Sequence, residues 1–522
     1  MASRTKPEEA AAEPAKRQIY AEFSPSEMRG EEPTFARTVG FTGMVFAILG
    51  GMFVFVNLVR GRPTPTWTVV AFGLGLALML YHAARDGDQQ VRRTYGAFGV
   101  LWLLLAGLFA VIPGGPERVT GHYFLPYGAF SLLAGLLFLM PFARHETDAT
   151  WRGWVLAGIA AVGAALSAGS FVAGIVHPPF MVGPGIVLNL LGLAFLSVYV
   201  GEARAAEGRG FQVAVGMGIL GAAVILYVLG RTIIPDVFGM TGVRPFLVPT
   251  GLLLLGAGLL HAAVSVGFWS ENDLVVMTRR ELASYFYSPI AYLVMLGFAV
   301  VGWFNYWYFV SVLAQSTLRF GGMDEPIVEA FILQWWPVIS IIFVVPAVTM
   351  RLFSEEKRTG TLEMLLTAPV SEWSVVLGKF LAAWVFFLLL WVPWGLYLIA
   401  LRVEGGSPFD YLPLLSFFLV LAVSGASFVA LGLFFSSLTR NQIIAAVLTF
   451  GVLLAYVLFF FLPRFEGVGE FWRAVFTRLS FINLWLEALS GRLMIRDVVL
   501  HLSLAFFWLF LTVKVLESRK WK

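Results

Sequence analysis

The sequence contains no cysteine, little charge and only six histidines among 522 residues. The first absence excludes disulfides, thiol nucleophiles and cysteine-ligated metals. The histidines are scattered, without the close spacing that a histidine metal site requires. Charged residues make up 13% of the chain, where soluble domains carry about 25%. A chain that is also 59% hydrophobic cannot cover a water-facing surface, so it must face lipid. A phosphate-binding loop is missing too. Gly378-Lys379-Phe380 lacks both the upstream glycine at the right spacing and the Ser or Thr after the lysine. The chain is therefore expected to hydrolyse no ATP and to bind no cofactor of its own. The net charge of +4 is modest, and the basic residues lie in short loops between apolar runs. That pattern reads as membrane topology, not nucleic-acid binding.

What is present is a series of long apolar runs. A helix needs about 20 apolar residues to cross a bilayer. About 14 segments approach that length, which predicts an all-α polytopic membrane protein. Eight fall in the first half, at 39–59, 67–81, 95–112, 125–142, 154–176, 181–200, 211–229 and 246–268. Six follow, at 290–312, 337–352, 377–401, 411–435, 443–462 and 498–516. Residues 1–36 are polar and read as a disordered cytoplasmic tail with no cleavable signal peptide. With the N-terminus in the cytoplasm, the inner segments hold roughly 24 Lys and Arg and the outer ones roughly 12. Both ends are therefore expected to be cytoplasmic. The exception is the last outer loop, with Arg464, Arg473, Arg478, Arg492 and Arg496; it is long enough to hold a helix lying on the outer surface.

The first eight runs contain an internal echo. Phe124-Leu125 recurs as Phe246-Leu247, and Ala134-Gly135-Leu136-Leu137 as Ala257-Gly258-Leu259-Leu260. A fixed offset of about 122 residues marks duplication, here of a four-span unit covering 37–142 and 151–268. Four spans restore the starting side, so the copies would be parallel. Polar residues within spans are few: Asn57, Asn189, His261 and Asn305. Each reads as an interhelical hydrogen bond. Ala422, Ala426 and Ala430 recur every four positions and read as a close helix contact.

Residues 269–288 separate the two halves. Leu274, Met277, Leu282, Tyr285 and Phe286 share one face at helical spacing, while Arg279 and Glu281 are expected to point away. An in-plane amphipathic helix is expected over 274–288, with Arg279 and Arg280 toward the anionic inner leaflet. Further on, a span ends near Leu352 and meets Glu355-Glu356-Lys357-Arg358. Gly360 permits a sharp turn, and Thr359 or Thr361 can cap a new helix. Glu363 suits its N-terminal dipole. Leu362, Leu365 and Leu366 make an apolar face, and Pro369 ends it. So short a helix is unstable alone. It must pack on its own bundle or in a partner's groove.

Glu355-Glu356-Lys357-Arg358-Thr359-Gly360-Thr361-Leu362-Glu363, followed by Leu365-Leu366-Thr367-Ala368-Pro369-Val370, resembles the hallmark of ABC-2 type permeases. So does the elbow stretch Arg280-Glu281-Leu282-Ala283-Ser284-Tyr285-Phe286. The C-terminal run, with Leu479-Ser480-Phe481, Gly491, Arg496-Asp497-Val498 and Leu516-Glu517-Ser518-Arg519-Lys520-Trp521, is similar to the gliding-motility-type subgroup. The copper-processing permeases share much of that pattern. The resemblance covers about 272–522 and implies a six-span permease domain over 269–522. It further implies an elbow helix at 274–288 and a coupling helix at about 360–368. It implies a separate ATPase in two copies, which carries the ATP and Mg, and a second permease half, identical or related. An auxiliary subunit with an extracytoplasmic domain is a further implied partner. Glu355, Glu356, Gly360, Thr361, Leu362, Glu363, Leu365 and Pro369 would then couple to the ATPase mechanically. The eight-span half departs from the family pattern and has no assigned motif.

Overall fold

A computed structural model describes residues 32–60, 66–85, 88–111, 124–203, 208–234, 247, 251–320, 327–367, 370–404 and 412–518. Among these residues every regular element is helical. The chain divides into two compact units, Met1–Gly216 and Met217–Lys522. The division falls within a helix, upstream of the 268/269 boundary read from the sequence. Most of the tail expected at 1–36 lies outside the described residues, but residues 32–36 are already helical. The first apolar run therefore extends further toward the N-terminus than its hydropathy implied.

The first eight long helices are α1 Glu32–Val59, α2 Thr66–Arg85, α3 Gln89–Val111, α4 Ala129–His145, α5 Ala149–Val176, α6 Pro184–Ala203, α7 Arg209–Ile233 and α8 Leu252–Trp269. There follow α9 Asp273–Phe286, α10 Pro289–Phe320, α11 Ile327–Ile332, α12 Trp335–Thr349, α13 Ser354–Thr359 and α14 Thr361–Thr367. The last seven are α15 Glu372–Leu390, α16 Val392–Glu404, α17 Leu412–Leu438, α18 Gln442–Phe461, α19 Glu470–Leu479, α20 Phe481–Leu489 and α21 Ile495–Glu517. Thirteen helices among the described residues are long and apolar enough to cross a membrane. The remaining expected span, 125–142, is the shorter α4, preceded by a π-helical turn at Phe124–Gly128. The long loop after α18, expected to hold a helix, contains two, α19 and α20.

Consecutive helices in the first half pack through glycines, and the contacts repeat. An alanine Cβ at Gly75 of α2 would lie 2.3 Å from the Ala47 nitrogen and 2.7 Å from the Gly43 oxygen of α1. At Gly192 of α6 it would lie 2.6 Å from the Ser167 nitrogen and 3.0 Å from the Gly163 oxygen of α5. Within the second helix pair, Gly99 of α3 meets Gly135 of α4, whose own Cβ would strike Leu103. In the same way Gly221 of α7 meets Gly258 of α8, whose Cβ would meet Ile225. Gly96 meets Phe142 as Gly218 meets Ser265. With no side chain in between, the backbones approach closely, which is how helices associate where lipid is as apolar as leucine.

The six-span part packs differently, around large rings. Trp391, Trp394 and Trp485 are each at most 1% exposed and sit among Phe298, Phe387 and Phe417. Trp391 lies 5.8 Å from Trp485 and 5.6 Å from Trp394, in tilted or edge geometry. Such pairs add roughly 0.5–1.5 kcal/mol beyond area burial. The small stripe of α17 serves packing within the chain: Ala430 is fully buried, and the Trp384 indole donates to the Ala422 carbonyl. Of the polar residues within spans, Asn189 donates to Ser170 on α5 and Asn305 to the Phe331 carbonyl on α11. Asn57 donates to the Phe53 carbonyl of its own helix, and His261 bonds the Ala257 carbonyl of its own.

Candidate functional site

The two stretches singled out from the sequence come together on α15. Helix α9, where the sequence reading expects an elbow, is capped by Asn272, whose side chain accepts from the Leu274 N–H at 3.0 Å. Its buried stripe is Met277, Glu281 and Tyr285, spaced i, i+4 and i+8. This corrects the expected orientation of Glu281, which does not point away. It sits between two core residues because a cation waits on the facing helix. Gly378 of α15 admits the approach, since a Cβ there would lie 3.0 Å from Met277. Arg279 is half-buried and donates to the Gly267 and Phe268 carbonyls at the end of α8, where a cation suits the helix dipole. Arg280 remains mostly exposed and pairs with Glu281 at 3.2 Å.

The cation facing Glu281 is Lys379. It is 1% exposed, and its ammonium lies 3.1 Å from Glu281 and 2.6 Å from Glu356. It also sits 5.5 Å from the Phe353 ring centre. One buried lysine thus ties α9, α13 and α15 together. With Arg280 at its edge, the cluster holds two cations and two carboxylates, so no net charge is left uncompensated. Sequence reading set Lys379 aside as the residue of a failed phosphate loop. The signal that could have found it is the lysine's own place inside an apolar span, where a charge calls for a buried partner.

Tyr285 forms a second tie. Its ring stacks on Phe386 of α15 at 4.6 Å, and its hydroxyl donates to the Val348 carbonyl of α12 at 2.9 Å. Arg351 lies over the same ring at 5.0 Å. Burial pushes the Tyr285 hydroxyl well above the ordinary tyrosine range, so it remains a donor.

The turn from α12 into α13 is pinned by Ser436 of α17. Its hydroxyl accepts from the Phe353 and Ser354 N–H groups at 3.0 and 3.1 Å and donates to the Met350 carbonyl at 3.0 Å. A hydroxyl has one donor and two acceptor sites, and all three are used. Gly432, one turn earlier, lets α17 approach Thr349 so closely that a Cβ would overlap its hydroxyl. Sequence reading missed both residues.

Beyond the turn, Gly360 takes φ 77°, the left-handed conformation that ends α13. The Thr359 hydroxyl bonds back to the Glu355 carbonyl at 3.0 Å and contacts the Thr361 hydroxyl at 3.0 Å. Of the two threonines expected to be able to cap the next helix, Thr359 is turned onto the preceding one. The seven-residue α14 follows. Leu362 is 3% exposed and anchors it to the bundle, while Glu363 and Met364 face outward. Glu355 is half-buried. The Leu365 side chain and Pro369 lie outside the described residues.

A family model described as ABC-2 family transporter protein matches residues 140–511. The chain belongs to this family. ABC-2 family membership makes it a multi-pass transmembrane component whose task is transport, not catalysis. The match begins well upstream of the motifs at 272 and takes in α5–α8 as well as the six-span part. No curated protein and no solved structure matches the chain.

Proposed function

We propose that this chain is the permease subunit of an ATP-driven ABC-2 transporter of the cytoplasmic membrane, with both termini inside. A separate ATPase, in two copies, docks on the outward faces of α13 and α14, and a second permease half completes the transporter. The observation that carries this reading is the Lys379 cluster. A helix of seven residues cannot hold itself in place. Here the segment leading to it is fastened by buried charges to the elbow helix and to α15. Force applied to Glu363 and Met364 by a closing ATPase would therefore pass through α13 to Lys379 and into two helices at once. The exposed Glu363, beside a Gly360 turn, offers a charged contact whose loss disturbs nothing inside the bundle.

The C-terminal resemblance supports the gliding-motility and copper-processing permeases as the nearest kin, which would bring an auxiliary subunit with an extracytoplasmic domain. The matching glycine contacts support reading α1–α4 and α5–α8 as a tandem four-span duplication ahead of the permease domain.

The test is co-purification from native membranes followed by reconstitution. An ATPase should accompany the wild type and be lost with Glu363→Arg, which should still insert and migrate normally. If a normally inserted Glu363→Arg retains full ATPase association and transport, the docking assignment is wrong. If the ATPase binds but no nucleotide turnover accompanies reconstitution, the chain is a membrane anchor for a surface complex instead.

A further inference from the structure

With the termini inside, as proposed above, five arginines of the last loop lie on the outer side, against the charge rule that orders the rest of the chain. Three of them line one cleft. The short helix α19 carries Phe471, Trp472, Val475, Phe476 and Leu479 on one side. Phe471 and Trp472 are 71% and 56% exposed, while Trp472 stacks on Phe476 and Phe476 on Phe459 of α18. An outer helix with exposed rings on one face and charges on the other lies in the membrane interface, at headgroup depth. Its charged face opens onto a cleft of about 470 Å³, bounded by α20 and the start of α21. Arg473, Arg478 and Arg496 line it together with Glu470, Glu487 and Asp497. Arg496 and Asp497 already pair at 3.1 Å. Arg473, Arg478, Glu470 and Glu487 make no salt bridge with any described residue.

We propose that this cleft binds the head group of an outer-leaflet phospholipid bearing both a phosphate and a primary ammonium. A purely anionic ligand would meet Glu470 and Glu487, and a purely cationic one would meet Arg473 and Arg478. A zwitterion meets both with opposite charge. Guanidinium forks match phosphate oxygens in paired hydrogen bonds. The carboxylates need a donor, which a primary ammonium supplies and a quaternary one does not. Volume agrees, since small-molecule sites span about 300–1,000 Å³. The acyl chains would run beside Phe471 and Trp472.

The measurement is native mass spectrometry of the full chain released from nanodiscs holding equal phosphatidylethanolamine, phosphatidylcholine and phosphatidylglycerol. Phosphatidylethanolamine should be retained preferentially. Arg473→Ala with Arg478→Ala should lower that retention about tenfold, the worth of one charged hydrogen bond. Glu470→Gln with Glu487→Gln should abolish the preference over phosphatidylcholine. Arg473, Arg478 and Glu470 are exposed and Glu487 is half-buried, and if the arginine pair fails to insert, the glutamine pair decides alone. Soluble glycerophosphoethanolamine separates the sources. Displacement of the lipid by it means the head group suffices and free zwitterions bind too. Resistance to it means the acyl chains contribute. Equal retention of the three lipids, or retention unchanged in both variants, overturns the assignment. Transport does not enter this readout, so the result stands apart from the permease reading.

Discussion

Two buried carboxylate clusters near the ends of spans are built on opposite plans. Glu146, between α4 and α5, accepts from the N–H groups of Thr147 and Asp148, each at 3.0 Å. Those backbone donors, with Arg93 at 3.7 Å, hold its carboxyl below the ordinary glutamate range. Asp148 beside it caps α5 by accepting from Thr150 and Trp151. Arg152 then bonds the Ala143 and Glu202 carbonyls, fixing the ends of α4 and α6. The hydrogen bonds here are local or end on backbone, and Arg93 of α3 adds the long-range ion pairs to Glu146 and Asp148. The Lys379 cluster is made of side chains alone and joins residues 98 and 23 positions apart. Backbone-held charge fixes helix ends. Charge held by one distant side chain can be released by moving one helix, which suits a part that transmits motion.

The comparison breaks most sharply at Lys379. Lys379→Ala removes the buried cation shared by two buried carboxylates and leaves only the exposed Arg280 at the edge, beside Glu281; losses on that pattern run to about 3–5 kcal/mol. Chemical denaturation in detergent should register it. Lys379→Met combined with Glu281→Gln and Glu356→Gln should recover most of the stability while leaving ATPase coupling impaired. Full coupling in that triple variant would reduce the cluster to packing.

Ser436→Ala comes next. It strips a partner from two buried N–H groups and one carbonyl, a cost of about 2–3 kcal/mol. Hydrogen exchange at Phe353 and Ser354 should rise before the rest of the core opens. The glycine contacts give a paired test in which Gly99→Ala and Gly221→Ala each overpack a helix interface, at about 1–3 kcal/mol. Similar losses at both positions fit a duplication, and a large loss at one with none at the other would argue against it.

The smallest effect concerns pH. A carboxyl whose pKa is lowered on folding adds stability above its unfolded value, and that stability is lost as pH falls through the folded value. The Glu146 contribution should therefore be complete at neutral pH and fade below the ordinary value of 4.5. Glu146→Gln should narrow the gap to wild type as the solution is acidified. A gap independent of pH would mean that shape, not charge, holds the loop.

Much of this was legible from residue types alone. Spans and loops follow from hydropathy and charge, which act over about 20 consecutive residues, and the helices fall where those runs lie. The turn at Gly360 and the short helix after it follow from local conformational preference. Glu281 was misread because an amphipathic pattern cannot register a carboxylate that belongs on the buried face once a lysine opposes it. Ser436 gave no local sign, since serines occur in apolar spans for many reasons, while Lys379, a charge inside an apolar span, signalled a buried partner without saying which. The sequence by itself thus determined that the chain crosses a membrane many times, and where it turns at the surface. Only the tertiary structure decided which distant side chains meet around α9, α13 and α15, because those partners are set by helix packing across scores of residues.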